Sequence, residues 1–505
     1  MVVMQATTQP VTTGATEPRR SGWRRALRWG LRGLAATAAL LLAVAVAWVL
    51  SNLGDAPAQP LPAELALAAP RAADDEAATA AHVLAGLHAA ADRDPAAVGR
   101  ADWLTHRAFW ALPAAQRDLP AQQAAYRQAL EQNQGSRLPA PTGAPWYCDS
   151  AGGDSADGDC AAAWIAQADA LARQRAAIAV IGQRCEQLLD GAFRFEELLP
   201  TLNSLAEPVA THLQGATRCA GWFRSGAVLA WSQGRRDEAL LQLARADKLQ
   251  RGLLTGSQSL IAQMVALRVA HDTQGTVAAL ALRDAALAPA LLTMTTALPD
   301  QHTAARRWVV FEAAFGRAAF TQMLSSCAGV AALDPEAGWL EVGMAWLSDR
   351  LCAHHIGFQP ERTQQRASQA WLQRLRLLDA DWSTVLQPSA EKAAAGDEPP
   401  WWRGLQWRNT VGALLVDIAA PTYTGYLARH ADIELQREAL AWVVALQAQR
   451  VPAAERAAWL QRQALSDTLR QRLRWANDGR SLDIKPWWVG GFDPRRDAIH
   501  FAWLD

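Results

Sequence analysis

Gly221–Gln250 reads GWFRSGAVLAWSQGRRDEALLQLARADKLQ. Apolar residues recur with a helical period on both sides of Gly234-Arg235-Arg236-Asp237. The spacing predicts a helix over Gly221–Gln233, a turn, and a second helix over Glu238–Gln250. Ala227, Ala230 and Trp231 then face Ala239, Leu240, Leu243 and Ala246 across the turn. Small residues at that crossing let two antiparallel helices pack closely.

The same pattern resembles the turn of a tetratricopeptide unit, with its small contact residues and a glycine before the second helix. No 34-residue period continues it, so the expectation is an irregular stack of helical hairpins rather than a regular array. Helical periodicity extends in both directions: Asp74–Ala90, Ala101–Ala111, Ala121–Gln132, a long helix over Ala161–Leu189, Glu196–Ala206, Ser257–Ala270, Val277–Leu298, His302–Met323, Ala337–Arg350, Gln365–Leu377, Val411–Ile418, His430–Gln449 and Ala453–Trp475. Phe358–Thr363 reads as a loop around Pro360. Near the end the pattern changes. Trp487-Trp488-Val489 and Ala498–Trp503 are β-prone and flank Gly490-Gly491 and Asp493-Pro494, a turn composition. The fold class is mainly α, with a small C-terminal β-hairpin.

Upstream, Arg19, Arg20, Arg24, Arg25, Arg28 and Arg32 precede an uncharged apolar run, Gly33–Leu50. About 20 apolar residues cross a ~30 Å hydrocarbon core. Arginines on the N-terminal flank predict an N-in, C-out transmembrane helix, with Trp23, Trp29 and Trp48 at interfacial depth. The alternative is a cleavable signal peptide, cut after Ala45-Val46-Ala47 or after Ala56-Pro57-Ala58. The long basic leader favours an uncleaved signal-anchor. The expected organisation is a cytoplasmic basic tail (1–32), a transmembrane helix (33–50), a Pro/Ala linker (51–73), a periplasmic helical domain (74–386), a second linker (387–404), and C-terminal helices with the hairpin (405–505).

The chain has 505 residues and equal numbers of basic and acidic side chains, 49 of each, which argues against a nucleic-acid footprint. All six cysteines follow the apolar run. In an oxidising exterior an even count predicts disulfides. Pairing by sequence neighbour gives Cys148–Cys160, Cys185–Cys219 and Cys327–Cys352. Asp149, Asp154, Asp157 and Asp159 crowd the first loop but lack the spacing of a calcium loop, so a solvated loop is the reading.

No nucleophile elbow, zinc-protease helix or phosphate-binding loop is present. Cys352-Ala353-His354-His355 carries metal-capable types without a full ligand set, and no metal or cofactor is expected. Asp247 and Arg251, at i and i+4, form either a structural ion pair or a ligand clamp. His430 and Asp432 near Tyr423 and Tyr426, and the Trp401-Trp402 pair, are the other candidate ligand or interaction residues.

Several phrases resemble an uncharacterised group of proteobacterial proteins with one N-terminal membrane helix and a helical exterior domain. They are Asp247-x-x-x-Arg251, Ser257-x-x-Leu260-Ile261-x-x-Met264-Val265-Ala266, Phe358-Gln359-Pro360-x-x-Thr363, Asn409-x-x-Gly412, Pro421-x-Tyr423-x-x-Tyr426 with Asp432, and Phe492-Asp493-Pro494. Gln263 and Gln365 depart from the pattern, which has Lys and Asn there. The resemblance transfers no activity and no catalytic residue.

The expectation is a non-enzymatic protein anchored in the inner membrane, its bulk periplasmic, acting as an envelope scaffold that holds a protein partner. Two other readings stand beside it. One is an envelope hydrolase or metal-dependent enzyme using His354, His355 or His430. The other is a peptidoglycan or small-ligand binding module using exposed tryptophans.

Overall fold

The computed structural model describes residues 20–66, 76–140, 160–191, 193–198, 211–327, 358–386, 408–409, 412, 416, 423–476, 479–487 and 498–503. Within them the chain is mainly helical, with a small C-terminal antiparallel sheet. The first helix, α1, runs Arg20–Asn52. Its stretch Leu27–Asn52 is long and apolar enough to cross a membrane. Leu40 and Leu42 are 65% and 66% exposed, so this is no core helix of the folded body.

Helices α2 (Glu76–Ala85), α3 (Pro95–Trp110) and α4 (Pro120–Gln134) follow. Asp94 caps α3 by accepting the N–H groups of Ala96 and Ala97 at 3.1 and 3.2 Å, with Pro95 in the first turn. At the α2–α3 crossing, a Cβ on Gly99 would stand 1.9 Å from the His82 carbonyl oxygen, so only glycine lets the two backbones meet.

The expected helix over Ala161–Leu189 is three: α5 (Cys160–Ala166), α6 (Ala168–Ala177) and α7 (Ala179–Asp190). The breaks at Gln167 and Ile178 re-aim the apolar stripe. Trp164 and Leu171 enter one core cluster, while Ile178, Ile181, Cys185 and Leu189 enter another. A straight helix would drift its stripe off both. Of the helix expected over Glu196–Ala206, 196–198 is irregular, because Glu197 turns inward, and 199–206 lies outside the described residues.

The diagnostic hairpin is present and longer than its sequence core: α8 (Thr211–Ser232) and α9 (Arg236–Gly256). Gly234 at φ +77° makes the turn. Ala227, Ala239, Leu243 and Ala246 are fully buried. The two helices expected over Ser257–Leu298 are one, α10 (Leu260–Arg283), followed by short turns. Buried Thr273 bonds its own helix through the Val269 carbonyl, so the polar stretch there does not interrupt α10.

Three further long helices complete the body: α11 (Gln301–Cys327), α12 (Pro360–Leu377) and α13 (Thr424–Ala448). Pro360 opens α12 rather than a loop. The third core cluster, around Trp308, Trp371, Trp382 and Leu427, lies among these helices.

At the C-terminus, α14 (Ala453–Gln461) and α15 (Asp467–Arg472) lead into the sheet. The sequence predicts helix to Trp475 and a strand at Trp487–Val489, of which Trp488 and Val489 lie outside the described residues. Instead β1 is Leu473–Ala476, β2 is Ser481–Ile484 and β3 is Ile499–Ala502, in the order β1-β2-β3, all antiparallel. Leu482 pairs with Trp475 on one side and Phe501 on the other. Leu482, Ile484 and Phe501 are buried while Asp483 and His500 bond across the other face at 2.5 Å, a two-residue alternation.

Candidate functional site

Some of the residues singled out in the sequence gather in two places. The first is the foot of α1. Asn52, the last residue of that helix, is fully buried. Its side-chain nitrogen donates to the Trp48 carbonyl and its oxygen accepts the Asn409 N–H, both at 2.8 Å. Gln359 donates from Nε2 to the carbonyls of Asn52 and Gly54, at 3.1 and 2.9 Å. Asp55 accepts the N–H groups of Glu361 and Arg362 at 2.7 and 3.2 Å, where a carboxylate meets the positive end of α12. Arg408 donates to the Ser51 carbonyl at 2.7 Å.

Asn409 stands at the centre. It adopts φ 57°, a left-handed conformation that asparagine tolerates better than most residues. Its Oδ1 accepts the Gln359 N–H at 2.7 Å and its Nδ2 donates to Thr363 Oγ1 at 3.0 Å. A Cβ on Gly412 would fall 1.9 Å from Thr363 Oγ1. Downstream, Leu65 is fully buried beside Leu61 in the third cluster. Over its described residues, then, the stretch read as a Pro/Ala spacer (51–73) is fastened to the body. Its prolines set an extended path whose carbonyls and apolar side chains dock, Pro57 O accepting from Gln365 at 3.0 Å.

The second place is an open groove of about 420 Å³. Among the described residues it is lined by Leu260, Ile261, Met264, Val265 and Arg268 of α10, Tyr426 and Arg429 of α13, and Thr217 of α8. Ile261 is 50% exposed. Two carboxylates fix the helix that supplies its floor. Buried Glu197 accepts the N–H groups of Gln258 and Ser259 at 2.6 and 2.8 Å, and the Ser259 hydroxyl at 2.5 Å. Glu312 accepts the Leu260 N–H at 3.1 Å. Burial raises both carboxyl groups above their usual range. Arg429 lies over the Tyr426 ring at 5.2 Å and donates to Met264 sulfur at 3.3 Å.

Asp247 and Arg251 do bond, at 2.7 Å. Arg251 also donates to the carbonyls of Ala297 and Thr296, and Arg437 donates to Thr296 O at 2.9 Å and sits 3.6 Å from Asp247. The pair thus clamps α9 to the turn after α10 and to α13.

His430 is fully buried between Gln301, 3.0 Å from Nδ1, and Trp308, whose indole N–H donates to Nε2 at 3.2 Å. Burial pulls its pKa down to about 3. A neutral ring protonated at Nδ1 satisfies both contacts and leaves no nitrogen for chemistry. Asp432 accepts the Trp487 N–H at 2.6 Å, holding the C-terminal segment. Tyr423 packs against Trp308 and Trp371, its hydroxyl pushed up to about 12 by burial, while Tyr426 faces the groove. Of the four residues read together in sequence, His430 and Tyr423 therefore share Trp308, Asp432 holds Trp487, and Tyr426 lines the groove.

Cys185 and Cys219 form a disulfide between α7 and α8, with Cα atoms 5.4 Å apart. Cys160 is also disulfide-bonded. Cys148, Cys352, His354, His355, Trp401 and Trp402, and the side chain of Cys327, lie outside them too, as do the 387–404 linker and the acidic loop.

Asn52, Asp55, Thr217 and Arg429 were not singled out in the sequence. Asn52 and Asp55 carry one weak signal, being the first amide and the first carboxylate after the apolar run. Compared with known proteins, the chain matches no family model, no curated protein and no solved structure.

Proposed function

We propose that the protein is a single-pass scaffold of the cell envelope. Its N-terminus is cytoplasmic, α1 spans the inner membrane, and the helical body stands in the periplasm and holds a protein partner. The observation that carries this reading is the bonded foot of α1. An apolar helix with exposed leucines ends in an amide built into the folded body. Such a joint fixes the body's orientation relative to the membrane, which a flexible tether would not. The Cys185–Cys219 bridge supports an oxidising compartment. The basic leader supports the N-in orientation.

The joint also bears on processing. A cut after Ala58 would sever Asn52 and Asp55 from the body. An uncleaved anchor keeps them. The groove on α10 and α13 is the face on which the partner would be held, since an isoleucine half in water at the edge of an apolar trough gains by being covered.

The test is a pair of fusions to the full chain, alkaline phosphatase or a cytosol-only fluorescent reporter at the C-terminus, with carbonate extraction and intact mass. The expected result is an active phosphatase, a dark reporter, a membrane pellet and an unprocessed N-terminus. A bright reporter with inactive phosphatase would overturn the reading.

A further inference from the structure

We infer that the groove accepts an amphipathic helix of a partner protein whose apolar stripe is edged by carboxylates; this rests on the scaffold reading above. Three observations point to it.

The first is the shape. Leu260 and Ile261, Met264 and Val265, and Arg268 recur at i, i+4 and i+8 along one face of α10. They span about 12 Å of helix axis. Tyr426 and Arg429 form the facing wall. An open trough two turns long, between helices, is the form in which a helical segment docks through residues at i, i+3 or i+4, and i+7. An acyl chain would leave much of its length in water there, whereas a helix would bring its own polar back to cover the opening. Met264 suits such a contact, because an unbranched thioether adapts to the shape laid against it.

The second is the charge. The charged side chains among the described lining residues are both cationic, Arg268 and Arg429. Asp272 is bonded to Arg268 at 3.0 Å, and it also serves Arg224 at 3.1 Å, so one carboxylate is shared by two guanidinium groups. A guanidinium carries five N–H donors, so a paired arginine can still take a second carboxylate. The rim therefore favours acidic residues and disfavours basic ones.

The third is the placement. Glu312 of α11 holds the Leu260 end of the groove, and Thr321 of the same helix contacts Gln364 of α12 at 3.4 Å, near the foot of α1. Those two positions on α11 are about 13 Å apart along its axis. Among the described residues the groove is lined by helices of the body and not by α1, which suits a protein partner better than the bilayer itself.

The test uses the full chain in phospholipid nanodiscs. The probe is a fluorescein-labelled 18-residue helical peptide with Leu at i, i+3, i+4 and i+7 and Glu along both edges of the stripe. Its counterpart has Lys at those edges. Anisotropy should show saturable binding of the Glu peptide and at least ~10-fold weaker binding of the Lys peptide. Ile261→Glu should weaken the Glu peptide by a similar factor. The Arg268→Glu/Arg429→Glu double variant should reverse the preference, a gain of Lys-peptide binding that misfolding cannot produce. Circular dichroism melts confirm that each variant is folded.

Equal binding of the two peptides, or no binding of either, would overturn the inference. So would saturation by a fluorescent fatty acid that the Glu peptide fails to displace. Self-association lost in Ile261→Glu would also overturn it, assigning the groove to a second copy. These outcomes are separable from the topology fusions: correct topology with no peptide binding removes this inference and leaves the anchored reading standing.

Discussion

The side-chain oxygen of Asn52 accepts the backbone N–H of Asn409 at 2.8 Å, joining positions 357 residues apart. The bond ties the last turn of the apolar helix to the segment just before Gly412, and Gln359, Thr363 and Asp55 close the network around it. A buried amide with all these partners is stabilising only while the set is complete.

Asn409→Ala should therefore lower stability by about 2 kcal/mol or more, since it removes the acceptor of the Gln359 N–H and the side-chain donor to Thr363 Oγ1, and puts alanine at φ 57°. Hydrogen exchange is the discriminating readout. Amides of residues 51–66 should lose protection while those of α8 and α9 keep theirs. Gly412→Ala should give the same pattern, because its Cβ displaces Thr363.

Breaking the Cys185–Cys219 bridge with Cys219→Ser should cost roughly 3–4 kcal/mol for a loop closed at a sequence separation of 34. Thermal melts of the wild type with and without reductant should bracket the variant. An unchanged midpoint in both experiments would count against the bridge as a stabilising element.

Buried Arg184 donates to the carbonyls of Leu87, Ala89, Ala90 and Arg93, at 2.7 to 2.9 Å, in the chain after α2. Arg184→Met should cost about 3 kcal/mol, by leaving carbonyls without donors. Arg184→Lys should rescue little, because an ammonium lacks the planar fork that reaches four oxygens. Denaturant midpoints for the two variants decide the point.

Acid should unfold the body from the histidine range downward. His212 and His430 are both held to about 3 by burial, against 6.5 for an ordinary imidazole. A depressed folded pKa means that the unfolded chain binds the proton first. The stability they contribute is present above 6.5 and is lost as pH falls toward 3. At pH 5 each loses about 2 kcal/mol. Glu197 works the other way: its raised pKa favours the fold at low pH, and that contribution fades as pH rises through the folded value. The measure is therefore the difference between wild type and His212→Leu, whose melting midpoint should fall less between pH 7 and pH 5.

Local pattern made much of this fold readable. The α8–α9 hairpin, the apolar helix and the Cys185–Cys219 pair could be placed from spacing alone. Each rests on near neighbours in sequence, where periodicity, a glycine turn and a short cysteine separation act directly. The reading failed where a distant partner overrode local preference. Glu197 leaves a helical pattern to cap α10, the Ala161–Leu189 stripe splits to serve two clusters, and Leu473–Ala476 gives up helix to pair with β2.

The amino-acid order by itself determined that the chain is helical, that one helix suits lipid, and where the main hairpin turns, because those follow from side-chain period and from chain entropy near a turn. Only the tertiary structure decided that the supposed spacer is fastened, that His430 is enclosed, and that Ile261 and Arg429 share a groove. Those facts depend on contacts between residues tens to hundreds of positions apart, and no local pattern encodes which distant backbone will meet a given side chain.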